Sequence, residues 1–269
     1  MKRFCLLLLL AVLPLAGWAQ SDFTIPVNDL ETDFGGHFSL TLDKKLARGL
    51  HLTADGEARL RNDFTTLGRW HAGVGMTYKV NSFLKVGAGY QFIERLNSDA
   101  AWIPRHRVYI DARGMLRTYY WHFSLKERFQ YTHRDPSGMN TFQNNPNSLT
   151  LKSRVKAEYV GFGDVSPYVF VEGRLVFNDP ACKATWNASA GTYSYYEFLG
   201  YTDTYFNRVR GAVGLAWKLS PYHALDFALL GDYNYDKEID TNAEGTRLKS
   251  IAFDRSFRLN VRVGYTFSF

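Results

Sequence analysis

From about residue 34 onward, apolar and polar side chains alternate with period two, in segments of about ten to fourteen residues separated by turn-forming stretches. Leu50, Leu52, Ala54, Gly56, Ala58 and Leu60 fall on one face, and His51, Thr53, Asp55, Glu57, Arg59 and Arg61 on the other. Strands in globular domains average ~5 to 6 residues. Strands twice that length suit a tilted crossing of a bilayer, with one face against lipid and the other against a lumen. The same alternation predicts strands near 34–45, 50–61, 69–80, 84–95, 105–116, 121–132, 149–160, 167–178, 205–219, 223–235 and 255–269. Glu127 falls on the apolar face of its strand, and a β-bulge there would restore the phase.

Connections alternate in length. Short turns are expected at 46–49, 81–83, 117–120, 161–166 and 220–222, and longer polar loops at 62–68, 96–104, 133–148, 179–204 and 236–254. Short turns at one end and long loops at the other are the wiring of outer-membrane barrels, the short ones lying in the periplasm. Bacterial single-chain barrels use even strand numbers, so the eleven segments call for a partner. It is placed between Ser21 and Leu30, where Phe23, Ile25 and Val27 alternate around Pro26. The expected fold is all-β: a transmembrane antiparallel up-and-down β-barrel of about twelve strands, with ten as the alternative.

Aromatic residues sharpen this picture, because Trp and Tyr collect at bilayer interfaces. On the apolar faces, Trp70, Phe92, Phe129, Tyr131, Phe177, Tyr205, Tyr233, Tyr235 and Phe257 lie toward the long loops. Tyr78, Trp121, Tyr159, Trp217, Phe267 and Phe269 lie toward the short turns, and Ala, Val, Leu and Gly occupy the span between. A soluble sandwich would place its bulk in the middle.

The N-terminus fixes the route. Lys2 and Arg3 precede an apolar run from Phe4 to Leu13, then Pro14 and small residues, which reads as a secretory signal peptide cleaved between Ala19 and Gln20. The run is shorter than the ~20 residues of a spanning helix, and no later stretch reaches ~18. The expected organisation is a signal peptide over 1–19, an N-terminal segment with a first strand over 20–33, and an outer-membrane barrel over 34–269. Cys5 departs with the signal, so Cys182 remains without an intramolecular disulfide partner. Cys5 precedes the apolar run rather than following it, so acylation is not expected either.

The C-terminus, ending in Tyr265, Phe267 and Phe269, resembles the terminal strand of outer-membrane proteins, whose last aromatic residue is read by the barrel assembly machinery. The order of Asp43-Lys-Lys-Leu46, Glu57-Ala-Arg-Leu-Arg-Asn62, Val86-Gly-Ala-Gly-Tyr90, Arg105-His-Arg107, Ser124-Leu-Lys-Glu-Arg-Phe129, Lys152-Ser-Arg154 and Val263-Gly-Tyr265 resembles the barrel family known as domain of unknown function 2490. The resemblance implies a fold and a location. It carries no established activity, so no catalytic or binding residue follows from it.

Candidate chemistry narrows by elimination. An outer-membrane lipid hydrolase needs Ser and His within hydrogen-bond reach near an interface. His37 and Ser39 share an inward face, as do His122 and Ser124, but such neighbours arise in any polar lumen, and no catalytic residue is expected. The histidines lack metal-ligand spacing, so neither a metal nor a cofactor is expected. Arginines alternating with apolar residues on strands of an exported chain exclude nucleic acid as a partner. Outer-membrane lipid, the assembly machinery and an anionic solute or ligand remain.

The formal net charge is +6, and the inward faces concentrate it. Arg59, Arg61, Arg69, Arg95, Arg105, Arg107, Arg154, Arg208, Arg210 and Arg258 fall in the long-loop half, with the inward acids mainly lower. Rings of arginine select anions in pores. The leading expectation is therefore a small channel with a basic external mouth. A closed structural or interaction barrel displaying its loops is the alternative, and a lipid-modifying enzyme the third reading.

Overall fold

A computed structural model describes residues 25–97, 100–137 and 139–269. The expected signal peptide, its cleavage between Ala19 and Gln20, and the start of the strand expected from Ser21 lie outside the described residues.

Thirteen strands follow in chain order: β1 (Val27–Ala47), β2 (Leu50–Arg61), β3 (Thr66–Lys79), β4 (Leu84–Leu96), β5 (Trp102–Arg117), β6 (Trp121–Arg134), β7 (Asn147–Tyr159), β8 (Val165–Asp179), β9 (Cys182–Asn187), β10 (Thr192–Phe198), β11 (Asp203–Lys218), β12 (His223–Thr241) and β13 (Leu248–Ser268). All but β9 and β10 form one closed barrel in the order β1-β13-β12-β11-β8-β7-β6-β5-β4-β3-β2. No helix among the described residues is long and apolar enough to cross a membrane.

Eleven strands, rather than twelve or ten, close the barrel, and the reason is direction. Residues 27–30 form no separate strand; they run straight on into β1, a single strand of 21 residues. With an odd count the first and last strands point the same way, so β1 and β13 pair parallel, from Leu30 opposite Arg255 to Asp43 opposite Ser268. All the other barrel pairs are antiparallel.

The outer face is mainly apolar along its height. Val74, Ile110, Val171 and Val213 are all more than half exposed midway along their strands. Trp70, Phe129, Tyr131, Tyr233 and Phe257 are exposed toward the long loops, and Tyr78, Trp121, Trp217 and Phe269 toward the short turns. Tyr119, Tyr120, Phe162 and Tyr222 extend the lower band into the turns themselves. Tyr205 departs from this pattern. Register shifts on either side of it, where β11 meets β8, reverse its phase, so it lines the lumen.

Glu127 needs no bulge. β6 pairs with β5 and β7 in unbroken register, Glu127 opposite Ala112 and Ser153. Its carboxylate stays on the outer face and accepts a hydrogen bond from Ser153 Oγ at 2.5 Å.

Inside, two tyrosines lie across glycines of the facing strand: Tyr109 opposite Gly89 and Tyr168 opposite Gly214. A Cβ would stand 2.4 Å from the Tyr109 hydroxyl oxygen at the first and 2.5 Å from Tyr168 at the second. These two positions therefore admit only glycine without moving the ring. Tyr168, Phe170, Ala212, Ala228 and Leu230 form a buried apolar cluster on the β8-β11-β12 wall.

Turns at the short end span 48–49, 80–83, 118–120, 160–164 and 219–222. The opposite end is less uniform than expected. The connection at 62–65 is a tight turn in which Asn62, Asp63 and Phe64 all have positive φ. Most of 236–254 is strand, leaving a turn at 242–247. The long excursions are 135–146 and 180–202, the latter carrying the β9-β10 hairpin. That hairpin packs Cys182, Ala184, Tyr193 and Tyr196 on buried Ile239, Leu248 and Ile251, and this burial pushes the Cys182 thiol pKa up. The 135–146 loop leans toward β12: Asn140 donates to Thr241 Oγ1 at 3.0 Å and Gln143 to Asp240 at 2.8 Å.

Candidate functional site

Alternation on the strands sends every second side chain inward, and the lumen they enclose holds a cavity of about 1190 Å³. Twelve arginines and four lysines line it against nine carboxylates. Register arranges these cations in rows. Arg59, Arg69 and Arg95 stand directly opposite one another on β2, β3 and β4. Arg128, Lys152, Arg174 and Arg208 do so across β6, β7, β8 and β11. Like charges facing across strands destabilise a sheet, so each row requires compensation.

The second row largely has it. Asp111 takes Arg128 at 2.6 Å and Lys126 at 3.0 Å, and Glu172 takes Arg208 at 2.7 Å and Arg154 at 2.5 Å. Arg174 reaches Asp236 at 3.7 Å and donates to Asn207 at 2.5 Å. Beside this row Arg210 forms a buried bidentate pair with Asp232. At the mouth above it, Lys237 pairs with Asp203 and lies 3.6 Å from Asp179. Lower down, Arg262 meets Asp226 at 2.5 Å, and Tyr168 donates to the same carboxylate at 3.0 Å. In the lumen Arg128 also lies over Tyr109, Arg154 over Phe170, Lys156 over Tyr168 and Lys237 over Tyr205, at 3.8, 4.3, 4.0 and 5.6 Å.

The first row does not have it. Arg59 holds Glu57 at 2.5 Å, but Arg69 and Arg95 have no ion-pair partner among the described residues. On β5, Arg105 stands opposite Arg134, and Arg107 donates only to Thr132 Oγ1, at 3.0 Å. Lys152 of the second row is likewise unpaired among the described residues. Arg107 lies within electrostatic reach of both rows, with Arg59 on one side and Arg174 on the other.

The ten arginines expected to form one mouth thus separate. Arg59, Arg69, Arg95, Arg105 and Arg107 gather on the β2-β5 wall, and Arg154, Arg208 and Arg210 line the opposite wall, each tied to a carboxylate. Arg61 and Arg258 do not line the cavity but lie within electrostatic reach of Arg95. The acids are not confined to the lower half, since Asp179, Asp203 and Asp236 cluster at the mouth around Lys237 and Arg174.

Sequence reasoning overlooked a polar knot on the β2-β4 wall. His71 Nε2 lies 2.9 Å from Asp55 and 3.2 Å from Gln91, and its Nδ1 lies 3.7 Å from Glu57. Diagonal proximity across strands made it, and register alone would have revealed it. Neither His37 nor His71 has a Ser, Thr or Cys side chain as a hydrogen-bond partner among the described residues. His106 faces outward and meets the Tyr90 hydroxyl at 2.7 Å. No group of His, Cys, Asp and Glu among the described residues is placed to hold a metal ion.

Tyr265, Phe267 and Phe269 gather at the short-turn end. Tyr265 Oη lies 2.5 Å from His223 Nδ1, and Phe267 stacks with Phe269 at 5.4 Å. Phe269 also completes the parallel seam: its amide donates to the Asp43 carbonyl at 2.9 Å, and its own carbonyl accepts from Lys45 at 3.1 Å.

No curated protein matches this sequence. Among solved structures it is similar to an anion-selective porin from Comamonas acidovorans, with 13% identity and a TM-score of 0.32. That alignment covers 80% of this chain and 53% of the porin, so the chain spans about half the porin's length. Residues 34–243 match the family described as Protein of unknown function (DUF2490). The match runs from Phe34 in β1 to Ala243 just past β12, most of the barrel, and the chain belongs to that family.

Proposed function

We propose that the protein is an outer-membrane barrel, exported by the signal peptide of residues 1–19 and folded by the barrel assembly machinery, whose lumen admits small anions from the long-loop end. One observation carries this reading: twelve arginines and four lysines face nine carboxylates around a lumen cavity of about 1190 Å³. Lipid is the natural partner of an outer face with Val74, Ile110 and Val213 more than half exposed at mid-height. Eleven strands stand between the eight-stranded size that side chains just fill and the porins of about sixteen that leave an aqueous channel.

A second reading rests on the apolar cluster of Tyr168, Phe170 and Leu230, which occupies lumen on the β8-β11-β12 wall. In that reading the barrel is closed below and takes up anions at its mouth without passing them. Reversal potentials of the purified protein in a planar bilayer under a potassium chloride gradient separate the two. Anion preference supports the channel, cation preference removes it, and the absence of conductance leaves the closed barrel.

A further inference from the structure

Arg69, Arg95, Arg105, Arg107 and Lys152 form a set of cations with no carboxylate within ion-pair distance among the described residues. Two of them carry a stronger mark: Arg69 Nε and Arg105 Nε are buried and have no hydrogen-bond acceptor among the described residues. Register holds the set together. Arg69 faces Arg95 across β3 and β4, and the charges that act most on Arg105 are Arg95, Arg134 and Arg107, all cations. Lys152 stands on β7 and lies within electrostatic reach of Arg107 as well as of Arg208 and Glu172. The remaining lumen cations of the mouth have partners, Arg59 through Glu57, Arg208 through Glu172 and Arg210 through Asp232. Four of the five stand on β3, β4 and β5, and Lys152 stands on β7.

Opposed like charges and buried unpaired donors both cost free energy, and a polyanion bound among them would remove both costs. A guanidinium presents a planar fork of donors that fits the oxygens of phosphate or carboxylate, and several forks around one point favour a ligand bearing more than one charge. The wall is accessible as well, since β2 and β3 are joined by the tight turn 62–65, Asn97 and Ala101 meet through a backbone hydrogen bond of 3.0 Å, and the 135–146 loop leans away toward β12.

We infer that Arg69, Arg95, Arg105 and Arg107, with Lys152 on β7, form a binding site for a multiply charged phosphate-type oxyanion. The inference rests on the anion-favouring lumen proposed above and adds to it a saturable site with a defined ligand charge. The test is calorimetric titration of the detergent-purified barrel with inorganic pyrophosphate, against potassium chloride at equal ionic strength. Saturable one-to-one binding of pyrophosphate is expected, at least tenfold weaker in the triple variant R69Q/R105Q/R107Q and unchanged in R117Q at the short-turn end.

Folding of the triple variant is checked by its urea midpoint without ligand. The midpoint should equal or exceed that of the wild type, because the substitutions relieve repulsion, and added pyrophosphate should raise only the wild-type midpoint. Wild-type protein that neither binds pyrophosphate nor gains stability from it overturns the site, as does equal binding in the triple variant. Conductance of the same preparations keeps the two readings apart. Pyrophosphate binding without conductance upholds the site and removes the channel, whereas anion-selective conductance without pyrophosphate binding removes the site and upholds the channel.

Discussion

The amide of Phe269 donates to the carbonyl of Asp43 at 2.9 Å, so the last residue of the chain is hydrogen-bonded to the first barrel strand. With the return bond from Lys45 and the Lys44 ammonium 5.0 Å from its ring, Phe269 closes the lower end of the seam. Removing Phe269 forfeits two backbone hydrogen bonds, about 1 to 3 kcal/mol in all. A lowered urea midpoint of the refolded barrel is the expected result, separate from any loss of assembly in cells. A midpoint equal to wild type would confine Phe269 to an assembly role.

Parallel closure also sets the end at which β1 begins and the end at which β13 stops. Asn28, exposed and bonded to Asp254 at 2.6 Å, lies at the long-loop end, and Ser220 lies in a short turn. In a C182S background, N28C should react with an impermeant maleimide on intact cells and S220C only after lysis. The opposite pattern inverts the proposed orientation.

Cys182 should report its own burial through pH. Burial raises its thiol pKa, so at a given pH less of it is thiolate than of an exposed cysteine. Its rate of maleimide labelling should therefore rise at a higher pH than that of N28C. Coincident rate profiles would show that the β9-β10 hairpin does not hold Cys182 against Ile239 and Leu248.

Glu127 places a carboxyl on the apolar outer face with Ser153 as its hydrogen-bond partner. Acidic side chains on a lipid face cost stability, less than the ~2 to 4 kcal/mol of a basic one at mid-depth. Glu127→Leu should stabilise the barrel in lipid vesicles by about 1 kcal/mol, read as a higher urea midpoint. A lower midpoint would mean that the bond to Ser153 outweighs desolvation.

Arg210 and Asp232 are both nearly fully buried. Arg210→Ala leaves an unpaired buried carboxylate and should cost about 3 to 5 kcal/mol. The double variant R210A/D232A should recover part of that loss in the same urea titration. A double variant less stable than R210A would assign the two residues independent roles.

All eleven barrel strands were legible in the sequence because each has an apolar outward face and a polar face toward the lumen, which writes period two into the chain. Alternation says nothing of which strand neighbours which, so the parallel meeting of β1 and β13 was invisible, and an even count seemed to demand a twelfth strand. The β9-β10 hairpin escaped because it lies outside the barrel and escapes that two-sided constraint. Tyr205 was misplaced by the register shifts beside it, which the phase of β11 does not reveal. The cations of the lumen could be named from parity alone. Their division into paired and unpaired cations could not, since Glu172 reaches Arg154 and Arg208 on two other strands.

An odd number of strands also decides how the chain's ends could be joined. Over the paired stretch from Leu30 to Asp43, at ~3.3 Å per residue, the two free ends of the seam are separated by about 45 Å of sheet. A circularly permuted version cannot be closed with a short loop; its linker must travel the height of the barrel, along the wall or through the lumen. Adding or deleting a hairpin at any turn leaves this unchanged, because it alters the count by two. Only the gain or loss of a single strand would bring both ends to one side.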